Sequence, residues 1–313
     1  MSDRCQGVYA AILTPLAGDG AVDAQGLTAL INDLLANGCD GIALFGTTGE
    51  ATSFSLEERE HALEAIIDRG VPAARLIVGT GCCSVPDTIR LTRHAVRNGC
   101  AGVLMVPPFY FKAVTDEGLY AAFARTVEGV GDDRLRVYLY HFPEMTNLPL
   151  SRDLVGRLHH AFPDQVVGIK DSSGVFENMT GLIEALPDLT VLTGDDDLLL
   201  PLLQSGGAGS ITAGANIASP LLARIYAEWR DDSDAVRRSH ALLEQLWSGL
   251  LLKYPVTEAL KELLAAKTDN PAWLRMRPPL VPLTEQQHDS LLRGFDAVGL
   301  DLRPSLTAVL QRP

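Results

Sequence analysis

Of the five lysines in this chain, Lys112, Lys170, Lys253, Lys261 and Lys267, only Lys170 closes an apolar, β-branched run, Val166-Val167-Gly168-Ile169. A short run of that kind, followed by Asp171-Ser172-Ser173-Gly174, reads as a buried strand ending in a turn. Burial disfavours the charged ammonium and so favours the neutral amine, which is a nucleophile toward carbonyl carbon. The competing reading, a strand-end lysine that snorkels to water or pairs with Asp171, stays open on this segment alone. Two phenols stand in comparable places, Tyr140 at the end of Arg136–Tyr140 and Tyr110 within Pro107-Pro108-Phe109-Tyr110-Phe111. Taken singly, each also reads as a buried aromatic whose hydroxyl caps a backbone group. Gly46-Thr47-Thr48-Gly49-Glu50 follows another apolar run. Its glycines let the backbone approach a ligand, and successive N–H groups can bind a carboxylate.

These residues need elements that bring them together. Strands are predicted at Val8–Leu13, Gly41–Phe45, Arg75–Gly79, Gly102–Val106, Arg136–Tyr140, Val166–Lys170, Thr190–Thr193 and Ser210–Thr212. Helical patterns alternate with them at Ala24–Asn37, Leu56–Arg69, Val85–Asn98, Asp116–Val130, Ser151–Ala161, Phe176–Leu186, Leu198–Ser205 and Pro220–Trp229, with caps expected at Ser55 and Ser151. Eight β-then-α units in this length predict an α/β fold, a TIM (β/α)8 barrel over residues 1–231. A doubly wound sheet is the alternative, but the first strand runs into Thr14-Pro15-Leu16, which is no glycine-rich dinucleotide turn. Residues 232–313 read as an all-helical extension, with helices at Asp234–Leu252, Val256–Lys267 and Thr284–Val298 and a Pro-rich link, Arg277-Pro278-Pro279-Leu280, before the last. The barrel puts the ends of all eight strands at one mouth, where such folds carry their chemistry. Thr193-Gly194-Asp195-Asp196-Asp197 lies there as well, and its three carboxylates argue against a phosphorylated substrate.

The formal charge of −13 argues against nucleic acid or an anionic membrane as partner. No apolar run reaches the roughly 18 residues of a membrane span, and Met1 to Gly7 has neither a basic nor an apolar leader region. Five cysteines, an odd number with no C-x-x-C pair, suit a reducing cytoplasm, and the vicinal Cys82-Cys83 reads as a loop pair. The seven histidines form no metal-ligand pattern, so no metal is expected.

The ordered motifs resemble the dihydrodipicolinate synthase/N-acetylneuraminate lyase family of Schiff-base pyruvate aldolases. They run from Thr14-Pro15 through Gly46-Thr47-Thr48-Gly49-Glu50, Pro108-Phe109-Tyr110, Tyr140-His141-Phe142-Pro143 and Gly168-Ile169-Lys170-Asp171. Thr193-Gly194-Asp195-Asp196, Ile211-Thr212-Ala213-Gly214-Ala215-Asn216 and the tail Lys253-Tyr254-Pro255, Ala259-Leu260-Lys261 and Arg277-Pro278-Pro279-Leu280 follow. The resemblance implies that Lys170 forms an imine with a 2-oxo acid such as pyruvate, with no cofactor. It implies that Tyr140 shuttles the proton, with Thr47 and Tyr110 as a relay, and that the Thr47 and Thr48 amides hold the carboxylate. Gly46, Gly194, Ile211, His141 and Met145 are expected to complete the substrate site. A homotetramer, a dimer of dimers in which Tyr110 reaches the neighbouring site, is implied too.

Dihydrodipicolinate synthases typically carry an arginine where Met145 stands and an asparagine where His141 stands, and neuraminate lyases a serine in place of Thr47. A thioether cannot replace a guanidinium fork. The expected activity is therefore that of an aldolase or dehydratase on another non-phosphorylated 2-oxo acid, such as a 2-keto-3-deoxy sugar acid. His141, Glu144, Thr146 and Asn147 are candidates for reading its distal end. The alternatives are dihydrodipicolinate synthase itself, condensing pyruvate with aspartate semialdehyde, and an inactive ligand-binding barrel, which retention of Lys170 and Tyr140 disfavours. A metal-dependent aldolase is disfavoured by the scattered histidines.

Overall fold

A computed structural model of the chain describes residues 4–231 and 233–302. Eight short strands, β1 (Gly7–Ala11), β2 (Gly41–Leu44), β3 (Leu76–Gly79), β4 (Gly102–Met105), β5 (Val137–His141), β6 (Val166–Asp171), β7 (Thr190–Thr193) and β8 (Gly209–Thr212), pair in parallel in chain order, and β8 closes on β1. The strands form as expected because each is built on an apolar or small-residue run, and all are buried throughout, including Lys170 and Asp171 at the end of β6. The helices between them each bury one stripe. In Ala24–Ala36 that stripe includes Leu27, Leu30, Ile31 and Leu34, the spacing of one helical face. Their starts are fixed by side chains: Ser55 and Glu58 form a reciprocal capping box, and Ser151 accepts the Leu154 N–H. Such caps each contribute about 1 kcal/mol.

Two cores result. One lies between strands and helices, and a smaller one fills the barrel with Tyr9, Ile77, Leu104, Tyr138, Leu192 and Ile211 among others. The inner core holds large rings because glycines face them. A Cβ on Gly168 would lie 2.6 Å from the Tyr138 ring, and one on Gly41 2.2 Å from the Tyr9 ring. Register within β6 decides which side chains reach the lumen. Val137 pairs with Val166 but Tyr138 pairs with Gly168, so Val167 is an extra residue in the ladder. The bulge changes the parity of the strand beyond it, and the Tyr140↔Lys170 pair that follows falls on the lumen side.

Several boundaries differ from expectation. β5 and β6 each run one residue further, to His141 and Asp171, which pair across the ladder. A four-residue helix, Pro143–Thr146, follows β5 where a loop was expected. The helix expected at Pro220–Trp229 starts at Ala215, and a non-helical Ala218 (φ −121°) lets the chain pass through Pro220, which lacks an N–H to donate. The helix expected to reach Leu252 ends at Leu246. There Trp247 and Ser248 turn to donate to Asp195 and Asp197 in the loop after β7.

The extension packs on the barrel. Most of the helix Val256–Thr268 is buried, and Lys261 within it pairs with Glu50. Arg277 donates to Glu58 at 2.9 Å and to the Gly20 and Ser53 carbonyls, with its guanidinium 4.4 Å from the centre of the Phe54 ring. That bond holds the Glu58 carboxyl down at about 2. Residue 232 and residues 303–313 of the predicted extension lie outside the described residues.

Candidate active site

Three of the predicted residues meet at the mouth of the barrel. Lys170 Nζ donates to the Tyr140 hydroxyl at 3.2 Å and lies 4.4 Å from the centre of that ring. The Thr47 hydroxyl is 3.4 Å from the same phenol oxygen. Lys170 is 5% exposed and Tyr140 4%, so the amine and the phenol are nearly dry, while Thr47 at the other end of the chain is exposed at the mouth. Tyr140 is backed by Phe142, whose ring stacks on it with centroids 5.7 Å apart. The result is a chain of polar hydrogens, amine to phenol to hydroxyl, closed off by aromatic carbon.

Thr47 sits in the turn after β2, which Phe45 and Glu50 enter and leave with left-handed backbones, φ 54° and 57°. The Glu50 N–H bonds the Thr47 carbonyl and the Ala51 N–H bonds the Gly46 carbonyl. Among the described residues the Thr47 and Thr48 N–H groups make no bond of their own, so they are available to an anion. Glu50 locks the turn from behind. One carboxylate oxygen pairs with buried Lys261 and the other accepts the Arg277 N–H at 3.0 Å. Thr14 adds a bond from its hydroxyl to the Gly49 carbonyl at 2.9 Å.

A cavity of about 260 Å³ opens beside this cluster. Gly46, Thr47 and Tyr140 line it on one side, and Phe109, Phe142, Met145, Thr146 and Leu280 lie on others. A larger hollow of about 500 Å³ sits at the opposite end of the barrel, around the N-terminal ends of β7 and β8, away from Lys170.

The remaining predicted residues lie elsewhere. Met145 is in the cavity wall, 63% exposed. Gly194 follows β7, where any side chain would collide with Ser172, and Ile211 belongs to the inner core; neither lines the cavity. Thr48 is buried in the turn. His141 is not brought to the cavity. The residue after an inward tyrosine faces the helix layer, and there its Nδ1 accepts the Leu150 N–H at 3.0 Å while burial lowers its pKa. Tyr110 stands apart, 74% exposed and edge-on to the equally exposed Phe111.

Sequence reasoning placed Lys261 and Leu280 only in the family-like tail and gave them no role, because a helical lysine carries no sign of burial and Leu280 read as part of a linker. It also missed the state of the acidic loop. Burial pushes Asp195 up to about 6, with Trp247 and Lys170 pulling the other way, and pushes fully buried Asp196 up to about 7. Among the described residues no group of three or more His, Cys, Asp or Glu is gathered to hold a metal ion.

The chain matches the dihydrodipicolinate synthetase family over residues 4–297. It is 35% identical to an uncharacterized DapA-like lyase of Chloroflexus aurantiacus, covering 94% of this chain and 97% of that one. Its structure is similar to that of dihydrodipicolinate synthase from Agrobacterium tumefaciens (TM-score 0.85, 35% identity, 94% and 99% covered). It is also similar to YagE of Escherichia coli K12, a prophage protein of the same family solved in complex with pyruvate (TM-score 0.83, 30% identity, 95% and 99% covered). The chain belongs to the dihydrodipicolinate synthetase family, the Schiff-base-forming class I pyruvate aldolases that act on small 2-oxo acids. It is a lyase of that class. No helix among the described residues is long and apolar enough to cross a membrane.

Proposed function

We propose that the barrel, residues 1–231, makes or breaks a carbon–carbon bond to pyruvate through an imine on Lys170, and that the extension, residues 232–313, braces its mouth. The observation that carries this is the buried Lys170–Tyr140 pair, continued by Thr47 at the mouth, beside a cavity. The Lys170 amine attacks the ketone carbon, and loss of water gives the imine. The Thr47 and Thr48 N–H groups hold the carboxylate. Tyr140 takes and returns the protons of these steps, with Thr47 next in line. Removing a proton from the pyruvate methyl leaves an enamine, which adds to an aldehyde carbon; the reverse order cleaves the same bond. No oxidant or reductant is consumed.

Two readings of the partner have support. The synthase name recurs among relatives at 30–33% identity, and this favours condensation with aspartate semialdehyde over the sugar-acid cleavage expected from the sequence. Met145 favours a different partner, because it occupies the cavity wall where that semialdehyde's carboxylate would need a cation. A homotetramer is supported by exposed Tyr110 and Phe111, which await a surface to cover them, and a cytoplasmic setting by the lack of any disulfide among the described cysteines.

Borohydride reduction in the presence of pyruvate tests the chemistry. A reduced pyruvyl group mapped by mass spectrometry to Lys170 is expected, and a label elsewhere, or none, overturns the proposal. Assay with aspartate semialdehyde then separates the two partners.

A further inference from the structure

The cavity that opens from Tyr140 and Thr47 has an unusual wall for an enzyme of small polar acids. Leu104, Val106, Phe109, Phe142, Met145 and Leu280 give it most of its surface. Among the described residues no arginine, lysine or histidine lines it. Its single carboxylate, Glu50, is bound to Lys261 and to the Arg277 N–H, so it has no charge to offer. Thr146 is turned back on the chain, its hydroxyl donating to the Phe142 carbonyl at 3.0 Å and accepting the Leu148 N–H at 3.2 Å. Thr52 and Ser53 add two hydroxyls and no charge. From outside the wall Arg59 and Arg277 donate to the Gly79 and Ser53 carbonyls, and Lys112 reaches the Phe109 and Thr146 carbonyls, the last at 2.8 Å. Lys112 straps the β4 loop to the short helix after β5 and stands outside the lining.

From this wall we infer that the carbonyl partner of the pyruvate imine is an aldehyde with an apolar side chain, aliphatic or aromatic. This rests on the imine chemistry proposed above and sides with the second reading of the partner. A carboxylate placed deeper, against Phe142 and buried Leu104, would lose its hydration with no countercharge to replace it, and a polyol would leave hydroxyls unpaired. An alkyl or aryl group loses nothing there and leaves water. The pyruvate half keeps its polar contacts at Lys170, Tyr140 and the Thr47–Thr48 turn, so the two ends of the site differ in kind. The reaction joins the enamine carbon to the aldehyde carbon, and Tyr140 supplies the proton that turns the new alkoxide into a hydroxyl. Hydrolysis then frees Lys170 and a 4-hydroxy-2-oxo acid with an apolar tail.

The test runs the full-length enzyme with pyruvate and four aldehydes, butanal, benzaldehyde, D-glyceraldehyde and aspartate semialdehyde, while borohydride trapping of pyruvate is measured in parallel. We expect kcat/KM for butanal or benzaldehyde to exceed that for the other two by roughly tenfold or more. Met145→Arg should lower the apolar rates and raise the semialdehyde rate, because it puts the missing guanidinium in the wall. Equal or faster turnover of glyceraldehyde or the semialdehyde by wild type overturns the inference. So does trapping at Lys170 with no apolar aldehyde consumed, which leaves the imine chemistry standing. Absence of trapping removes both.

Discussion

Lys170 and Lys261 are both taken out of water by the fold, at 5% and 0% exposure, yet their surroundings have little in common. Lys261 lies on the helix Val256–Thr268, pairs with the Glu50 carboxylate and donates to the Arg275 carbonyl at 2.8 Å. Burial still lowers its pKa, and Glu50 works against that. Lys170 lies at the end of β6 and makes no ion pair among the described residues; its hydrogen bond goes to a phenol. The first lysine is a clamp: its charge is matched, and the match ties the extension to the turn that carries Thr47. The second is left without a matched charge, an arrangement that stability alone does not favour and that a nucleophile requires. A buried lysine with a carboxylate holds structure, and one beside a phenol and a cavity is placed for chemistry.

Substitution of each lysine by methionine sharpens that contrast, and the larger effect falls at Lys170. Lys170→Met should abolish trapping of pyruvate and lower kcat by about 10⁴-fold or more, since no other amine reaches the site. It should cost little stability, because an apolar chain of similar length replaces an unpaired polar group. Lys261→Met should do the reverse. Leaving Glu50 buried without its partner should cost roughly 3–5 kcal/mol in urea unfolding, while the folded fraction still traps pyruvate at Lys170. If Lys261→Met unfolds like wild type, the clamp reading fails. If Lys170→Met still forms an adduct, the nucleophile is elsewhere.

Tyr140→Phe probes the phenol that distinguishes the Lys170 site. It keeps the ring over which Lys170 lies and the stack with Phe142, and it removes the oxygen shared by Lys170 and Thr47. We expect kcat to fall by about 10²-fold with KM within a few-fold of wild type. A normal kcat with a greatly raised KM would make Tyr140 a binding group instead.

The barrel was legible because its signals are local. Each strand is a short apolar run, each helix carries a cap or an apolar stripe, and eight repeats leave few folds to choose from. Lys170 was legible for the same reason, as the one lysine that closes such a run. The bulge at Val167 was not, and it decides which way Lys170 points, since it depends on a glycine making room for the Tyr138 ring on the neighbouring strand. Nor was the orientation of His141, which follows by alternation from Tyr140 facing the lumen, and the run Val137–His141 is apolar or aromatic on both faces. The Glu50–Lys261 pair joins residues 211 apart in the chain, and no spacing rule links them. The cavity's apolar character was half visible in Met145; the rest came from loops whose approach is purely tertiary.

The smallest effect we predict lies beside Lys170, in the loop after the neighbouring strand β7. Asp196 is fully buried, its Oδ2 accepts the Gly214 N–H at 3.2 Å, and burial holds its carboxyl up at about 7. Near pH 3 it is protonated both folded and unfolded. As pH rises from about 4 toward 7 the unfolded chain loses this proton and the native state keeps it, so unfolding is progressively favoured; above about 7 both states are ionised and the trend stops. Between pH 5 and pH 8 this lowers stability by about 2 kcal/mol. Asp196→Asn keeps a carbonyl for the Gly214 N–H and cannot titrate. Urea unfolding of the variant should therefore lose less stability over that interval than wild type, by about that amount. Parallel curves for the two proteins would show that Asp196 is ionised in the native state, with some unseen donor or cation at its second oxygen. They would also bring a negative charge back to the mouth from which its burial removes it.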